Sequence, residues 1–198
     1  MFIETIHIHH EKIQNLQGHI ARMQQTANHF GFSAPDISLL ESFVPAKEKK
    51  RVHVKCRLVY HNQIEEITFE EYVPRKIQSL QLIKASPDYS FKYADRTELN
   101  VFLSQKGDAD EILIVRDGCI TDTSFSNVVF RKGKEFYTPD TYLLNGTKRQ
   151  LLLHQGFIRE KPITVDSLCE FEEIWLINAM LDLTGSCQTT LPTSSIRR

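Results

Sequence analysis

Thr121-Asp122-Thr123-Ser124-Phe125-Ser126-Asn127, followed at a short interval by Leu144-Asn145-Gly146-Thr147-Lys148-Arg149-Gln150, is the most informative part of this chain of 198 residues. Asp117-Gly118 is a turn signal between two apolar runs, so Asp122 belongs where a returning strand gives way to irregular backbone. In the second stretch Gly146 frees the backbone just before Leu151-Leu152-Leu153 continues as a helix. A helix that starts on a turn of small residues presents unpaired N–H groups and the positive end of its dipole, which suits a phosphate.

Two further residues complete a chemical set. Lys92 lies between aromatic side chains in Tyr89-Ser90-Phe91-Lys92-Tyr93, where a partly desolvated amine has a lowered pKa and serves as a nucleophile. Arg22 lies on an amphipathic helix. An amine, a carboxylate, an arginine and a phosphate-binding turn are the parts needed to hold pyridoxal 5'-phosphate. Taken singly, each has a plainer reading. Lys92 is then a surface lysine, Asp122 a turn residue with an Asx-type contact, Arg22 a snorkelling side chain and Asn178 a strand-end cap.

With these residues in view, the chain resembles the class IV aminotransferases, the fold-type IV pyridoxal-phosphate enzymes, from Phe2 to about Gly185. Ile3-Glu4-Thr5-Ile6 is similar to the family's Phe-Glu-Thr segment. Leu16-Gln17-Gly18-His19-Ile20-Ala21-Arg22-Met23 is similar to its Leu-x-x-His-x-x-Arg-Leu helix. Lys92, the Thr121–Asn127 stretch, Gly146-Thr147-Lys148-Arg149 and Ile174-Trp175-Leu176-Ile177-Asn178-Ala179-Met180 follow in the family's order.

The resemblance implies that Lys92 is the Schiff-base lysine and Asp122 the partner of the cofactor's ring nitrogen. It gives the phosphate to Arg22 and to the turn of Gly146, Thr147 and Lys148, and places Asn178 at the cofactor. Arg57 and Ala179 fall at substrate-facing positions. Asp122 stands where the family has glutamate, which sets the carboxylate back by about one bond length and weakens its charge-assisted contact. The implied architecture is α+β, a small α/β lobe over 1–85 and a larger cofactor-binding lobe over 86–198. The larger lobe carries a mixed, barrel-like sheet with flanking helices, and the family's usual N-terminal strands are absent.

Local similarity leans toward 4-amino-4-deoxychorismate lyase, which releases pyruvate and 4-aminobenzoate. Lys92-Tyr93-Ala94-Asp95-Arg96 resembles that branch's Lys-His-Leu-Asn-Arg. The alternatives are an aminotransferase of branched-chain or D-amino acids, and a non-catalytic protein of the same fold that binds cofactor or a partner. The resemblance also implies a homodimer.

Bulk properties exclude several classes. With 24 basic and 25 acidic side chains the net charge is −1, so no basic excess points to nucleic acid. No run approaches the roughly 18 apolar residues of a membrane span. The N-terminus does not read as a signal peptide, and Cys56, Cys119, Cys169 and Cys187 are too widely spaced for a ligand pair, so reduced thiols in a cytoplasmic enzyme are expected. His7 and His9 share one strand face, yet a structural zinc needs four ligands and a catalytic one three; His10 faces away and no cysteine is near, so a polar face without metal is the expectation.

The periodicity predicts a strand over Phe2–Ile8, turning at His9-His10-Glu11-Lys12. A helix follows over Leu16–Phe30 with Gly31 as C-cap, then a short helix over Asp36–Phe43, a solvated charge run Lys47–Arg51 and a hairpin Val52–Tyr60 with Ile64–Tyr72. Pro74–Pro87 reads as a crossing. Helices are expected over Asp95–Gln105 and Lys148–His154. Strands are expected at Ile112–Val115, Ser126–Phe130, Glu135–Tyr137, Ile158–Val165 and Ile174–Ile177, with an irregular tail near Pro192.

Overall fold

Alternation governs the start of the chain. Along Phe2–His9 (β1), Phe2, Glu4, Ile6 and Ile8 are buried while Thr5, His7 and His9 are half-buried, as for a strand with one covered face. The computed structural model describes Met1–Arg198. It joins β1 through a tight turn to Lys12–Ile13 (β2), and pairs it antiparallel along its whole length with His53–Tyr60 (β3). Ile64–Glu71 (β4) pairs antiparallel with β3, giving the order β2-β1-β3-β4.

The helix Leu16–Phe30 (α1) has the predicted bounds and ends on Gly31, whose φ of 73° is the left-handed conformation that glycine adopts without penalty. Its buried side chains are His19, Arg22, Met23, Thr26 and Ala27, one face of the helix. Met23 packs with Ile6, Ile8, Val54, Cys56 and Leu58 of the sheet.

Two local expectations change. Only Leu40–Phe43 of the expected second helix forms, as a single 3-10 turn. The charge run is not wholly solvated: Ala46–Lys49 (α2) is one helical turn that carries Glu48 inward to 3% exposure, with Arg51 Nη1 at 3.4 Å.

The chain forms two compact units, Met1–Val73 with Phe91–Asp95, and Pro74–Ser90 with Arg96–Arg198. The division thus comes a dozen residues earlier than position 85, and a short segment returns to the first unit. That segment lies along the start of β1: Ile3 N–H donates to Lys92 O at 2.9 Å and Ala94 N–H to Met1 O at 3.1 Å.

In the second unit Leu80–Lys84 (β5) is a strand inside the expected crossing, followed by the helix Thr97–Leu103 (α3). Glu111–Arg116 (β6) lies parallel to β5 and turns back into Cys119–Thr123 (β7) through Asp117 (φ 53°) and Gly118 (φ 80°). Positive φ at both central residues matches the twist of the flanking strands. Asn127–Lys132 (β8) and Glu135–Pro139 (β9) form the next hairpin, the helix Thr147–His154 (α4) follows, and Arg159–Lys161 (β10) lies parallel to β9.

Glu173–Ile177 (β11) pairs with β8 on one side and Thr190–Pro192 (β12) on the other, while Ile196–Arg197 (β13) lies beside β5. The two mixed sheets have the orders β13-β5-β6-β7 and β10-β9-β8-β11-β12. The tail is therefore part of both sheets rather than irregular; short open edges hold it, with no hydrophobic pattern of its own. No helix is long and apolar enough to cross a membrane.

Leu58 is fully buried opposite Glu4. Truncating Leu58→Ala is expected to destabilise the protein by about 2–5 kcal/mol, read from urea unfolding midpoints; a change under about 1 kcal/mol would show that the core is not where this packing places it.

Candidate functional site

Glu4 has no exposed surface and faces α1, where two residues one helical turn apart converge on it. Arg22 gives Nε–H to Glu4 Oε1 at 2.9 Å and an Nη2 hydrogen to Oε2, while His19 Nδ1 lies 2.6 Å from Oε2. Burial alone would raise the Glu4 pKa. The Arg22 charge and the His19 hydrogen bond outweigh it and bring the carboxyl to about 2. For His19, burial and the positive charges of Arg22 and Lys92 outweigh the pull of Glu4 and hold the ring below its ordinary pKa. His19 is therefore neutral at pH 7 and donates its Nδ1 hydrogen.

Lys92 is half-buried, and its backbone is fixed to Ile3, the residue before Glu4. Glu4, His19, Arg22 and Lys92 thus form one electrostatically linked group within the first unit.

A second group forms in the other unit around Asp122, which is buried near the end of β7. Asn127 Nδ2 donates to its Oδ1 at 2.9 Å. The amides of Leu143 and Leu144 donate to its Oδ2 at 3.0 and 2.9 Å. Burial raises the Asp122 pKa to about 6, although all three donors pull it down. Two carboxylate oxygens offer about four acceptor positions, so one stays open for another donor, and a cationic one would relieve the buried charge.

The turn between β7 and β8 is held by short-range contacts. Thr123 Oγ1 lies 2.7 Å from Ser126 Oγ and accepts the Ser126 amide at 3.0 Å. Buried Glu111 accepts the Ser124 amide, and Arg96 donates to the Ser124 carbonyl.

Gly146 precedes α4, and here the requirement for glycine is a close approach. A Cβ at this position would lie 2.1 Å from Asn127 Oδ1, and Asn127 is itself tied to Asp122 and to Leu144 O. The first turn of α4 contains no acidic residue and has no side-chain cap, so the positive end of its dipole is not neutralised by the helix's own side chains. The side chain of Lys148 pairs with Asp182, leaving its backbone amide as its contribution to that turn. Arg149, 2% exposed, donates to Asn145 Oδ1, Pro139 O and Glu160, with its guanidinium over Tyr142, and so fixes the loop that delivers Leu143 and Leu144 to Asp122.

Residues 1–187 match the family described as amino-transferase class IV. The chain belongs to the class IV aminotransferase family. It is 38% identical to an uncharacterized protein of Haemophilus influenzae over 89% of this chain and 96% of the relative. To a D-alanine aminotransferase of Bacillus licheniformis it is 26% identical, over 98% of this chain and 77% of the relative. Among solved structures, a provisionally named 4-amino-4-deoxychorismate lyase from Haemophilus somnus superposes with a TM-score of 0.79 at 31% identity, covering 90% of this chain and 95% of the other. The family makes this chain a pyridoxal-phosphate-dependent enzyme.

The residues present fit that cofactor. A buried carboxylate with a raised pKa and an open acceptor position suits a protonated ring nitrogen, and the uncapped start of α4 suits a phosphate. Arg22 is held at two donors by Glu4.

Of the residues singled out in the sequence, Arg22 and Lys92 come together in the first unit, and Asp122, Gly146, Thr147 and Lys148 in the second. Asn178 locks a turn: its Oδ1 accepts the amides of Met180 and Leu181 and its Nδ2 donates to Phe125 O, which leaves Ala179 half-buried inside that turn. Arg57 stands apart. Its partner across the sheet is Thr5, so it shares the face opposite to Glu4 and pairs with Glu66 at 3.1 Å. Glu4, His19, Asn127 and Arg149 had no assigned role in the sequence. Glu4 and His19 are letters of the family segments quoted for the resemblance, which was the available signal.

Two outcomes test this geometry. Glu4 has a depressed pKa, so its contribution, on the order of 3 kcal/mol, is full above about 4.5 and lost as pH falls toward 2. Glu4→Gln is expected to be less stable than wild type at neutral pH and to lack this acid-side slope in urea unfolding; equal slopes would contradict the pairing. Gly146→Ala must displace Asn127, with an expected loss of about 1–3 kcal/mol and weaker uptake of pyridoxal phosphate in a spectrophotometric titration, against unchanged values if the contact is slack.

Proposed function

We propose that the protein is a lyase of 4-amino-4-deoxychorismate, releasing pyruvate and leaving 4-aminobenzoate. The observation that carries this reading is the likeness over nearly the full length, at 31% identity, to the provisionally named lyase of Haemophilus somnus. The segment Lys92-Tyr93-Ala94-Asp95-Arg96 supports it as well. The 26% identity to a D-alanine aminotransferase over almost the whole chain supports a second reading, transfer of the amino group to a keto acid.

When bound, pyridoxal phosphate supplies an electrophilic carbon for the substrate amine and a ring that takes up an electron pair. On this reading Lys92 Nζ is the amine that holds the cofactor and, once released, takes the proton from the substrate carbon bearing nitrogen. Asp122 keeps a proton on the ring nitrogen through its open acceptor position. Thr147 and Lys148, at the start of α4, are the residues that take the phosphate on this reading. Glu4, which also binds His19, orients Arg22. In the elimination the ring C–O bond to the enolpyruvyl group breaks, the departing enolpyruvate takes up a proton equivalent to the one Lys92 removed and becomes pyruvate, and the electron pair of the lost C–H completes the aromatic ring, which drives the reaction.

Borohydride reduction of the protein loaded with pyridoxal phosphate is expected to fix the label on Lys92 after digestion, and Lys92→Ala to abolish turnover without loss of fold. Pyruvate and 4-aminobenzoate in equal amounts from aminodeoxychorismate would support the lyase. Keto-acid formation from D- or branched-chain amino acids, with no pyruvate released from aminodeoxychorismate, would assign the aminotransferase instead, and a label on another lysine would remove both readings.

A further inference from the structure

The polar face of the first sheet gathers three imidazoles that are remote in sequence. His7 and His9 alternate along β1, and His53 opens β3 as the direct cross-strand partner of His9. His7 Nε2 lies 3.0 Å from His53 Nδ1, and His9 Nδ1 lies 3.2 Å from the same atom. One ligand atom from each of the three lies within 4.8 Å of the others. Two nitrogens bound to one zinc ion at about 2.0–2.1 Å stand roughly 3.4 Å apart in tetrahedral geometry. The rings are therefore already near ligand spacing.

We infer that His7, His9 and His53 form a binding site for a divalent transition-metal ion of the zinc class, on the face of the sheet opposite Glu4. Three imidazole nitrogen donors with no carboxylate among them suit zinc, nickel or copper and not calcium or magnesium, which take oxygen ligands. The site is half-buried, so an ion enters from solvent and a water completes its coordination.

The surrounding charges are compatible with a cation. Lys55, the partner of His7 across the sheet, is neutralised by Glu70 at 2.6 Å, and Lys12, the partner of His9, is exposed on β2. Binding needs one local change: His9 Nδ1 also lies 3.1 Å from Val52 O, and that contact gives way when the nitrogen ligates. An ion held here would join β1 to the start of β3. It would also brace the β1–β2 turn, where His10 (φ 45°) and Glu11 (φ 67°) take the left-handed conformation without glycine.

This inference is independent of the proposed reaction, since its readout is metal occupancy and not turnover. Protein dialysed against a chelator is titrated with zinc chloride by calorimetry, with magnesium chloride as the comparison ion, and its unfolding temperature is followed with and without zinc. One zinc per chain is expected, with a rise in unfolding temperature by linkage. His53→Gln and His7→Gln are each expected to weaken binding by more than about tenfold and to remove the rise, and His61→Gln to leave both unchanged. Cobalt substitution is expected to show visible bands of nitrogen ligation that the His53→Gln protein lacks. Absence of saturable zinc binding, or wild-type affinity in both single variants, overturns the site. If one variant fails to fold, the other decides.

Discussion

A carboxylate with no access to water sets the geometry of the first unit. Glu4 projects from the apolar face of β1, where an unpaired charge would cost several kcal/mol, and only α1 can supply partners. His19 and Arg22, three residues apart on one helix face, meet this need together, so the rotation of α1 about its axis is fixed by charge as well as by the apolar stripe. Hydrophobic packing tolerates sliding of a helix over a sheet. A bidentate pair does not. The same contacts hold Arg22 in one orientation and keep His19 neutral, so that the cationic character of this region resides in Arg22 and Lys92.

Asp122 plays the corresponding part in the second unit by different means. Its partners are neutral amides: Asn127, and the backbone of Leu143 and Leu144. Amides satisfy the oxygens without neutralising them, which is why burial still raises the pKa. A shorter side chain than glutamate suits this arrangement, because the carboxylate must stay close to the strand to receive the two loop amides. Asn127, Gly146 and Arg149 all serve that contact, through a donor, a missing Cβ and a clamp on the loop. In this chain the shorter carboxylate is met by two amides of its loop and by Asn127.

Much of this was legible in the sequence where local signals agreed. The helix Leu16–Phe30 combined an apolar stripe with a terminal glycine, and Asp117-Gly118 named its own turn. Other features depend on contacts that no window contains. β5 is a strand because β6, thirty residues later, offers it a parallel edge. β12 and β13 are too short to carry a pattern and are recruited by β11 and β5. Glu48 looked like one letter of a solvated run, and only its helical turn carries it inward. His53 stands 44 residues from His9, so the histidines could not be read as a group of three until the strands were paired. Glu4 was visible as a family letter but not as the buried charge it is, since alternation marks a face and not what lies across from it.

The return of Phe91–Asp95 to the first unit has a consequence for biosynthesis. Until residue 95 has been made, the start of β1 lacks the partner that takes the Ile3 amide and gives the Ala94 amide to Met1. An N-terminal fragment would carry an open strand edge, the kind of surface that templates association between chains. The segment that closes this edge is the one bearing Lys92, and it does so through backbone atoms alone. Completion of the sheet and placement of Lys92 are thus one event in the folding of the nascent chain, so a chain that has not yet placed this residue has not yet sealed its first sheet.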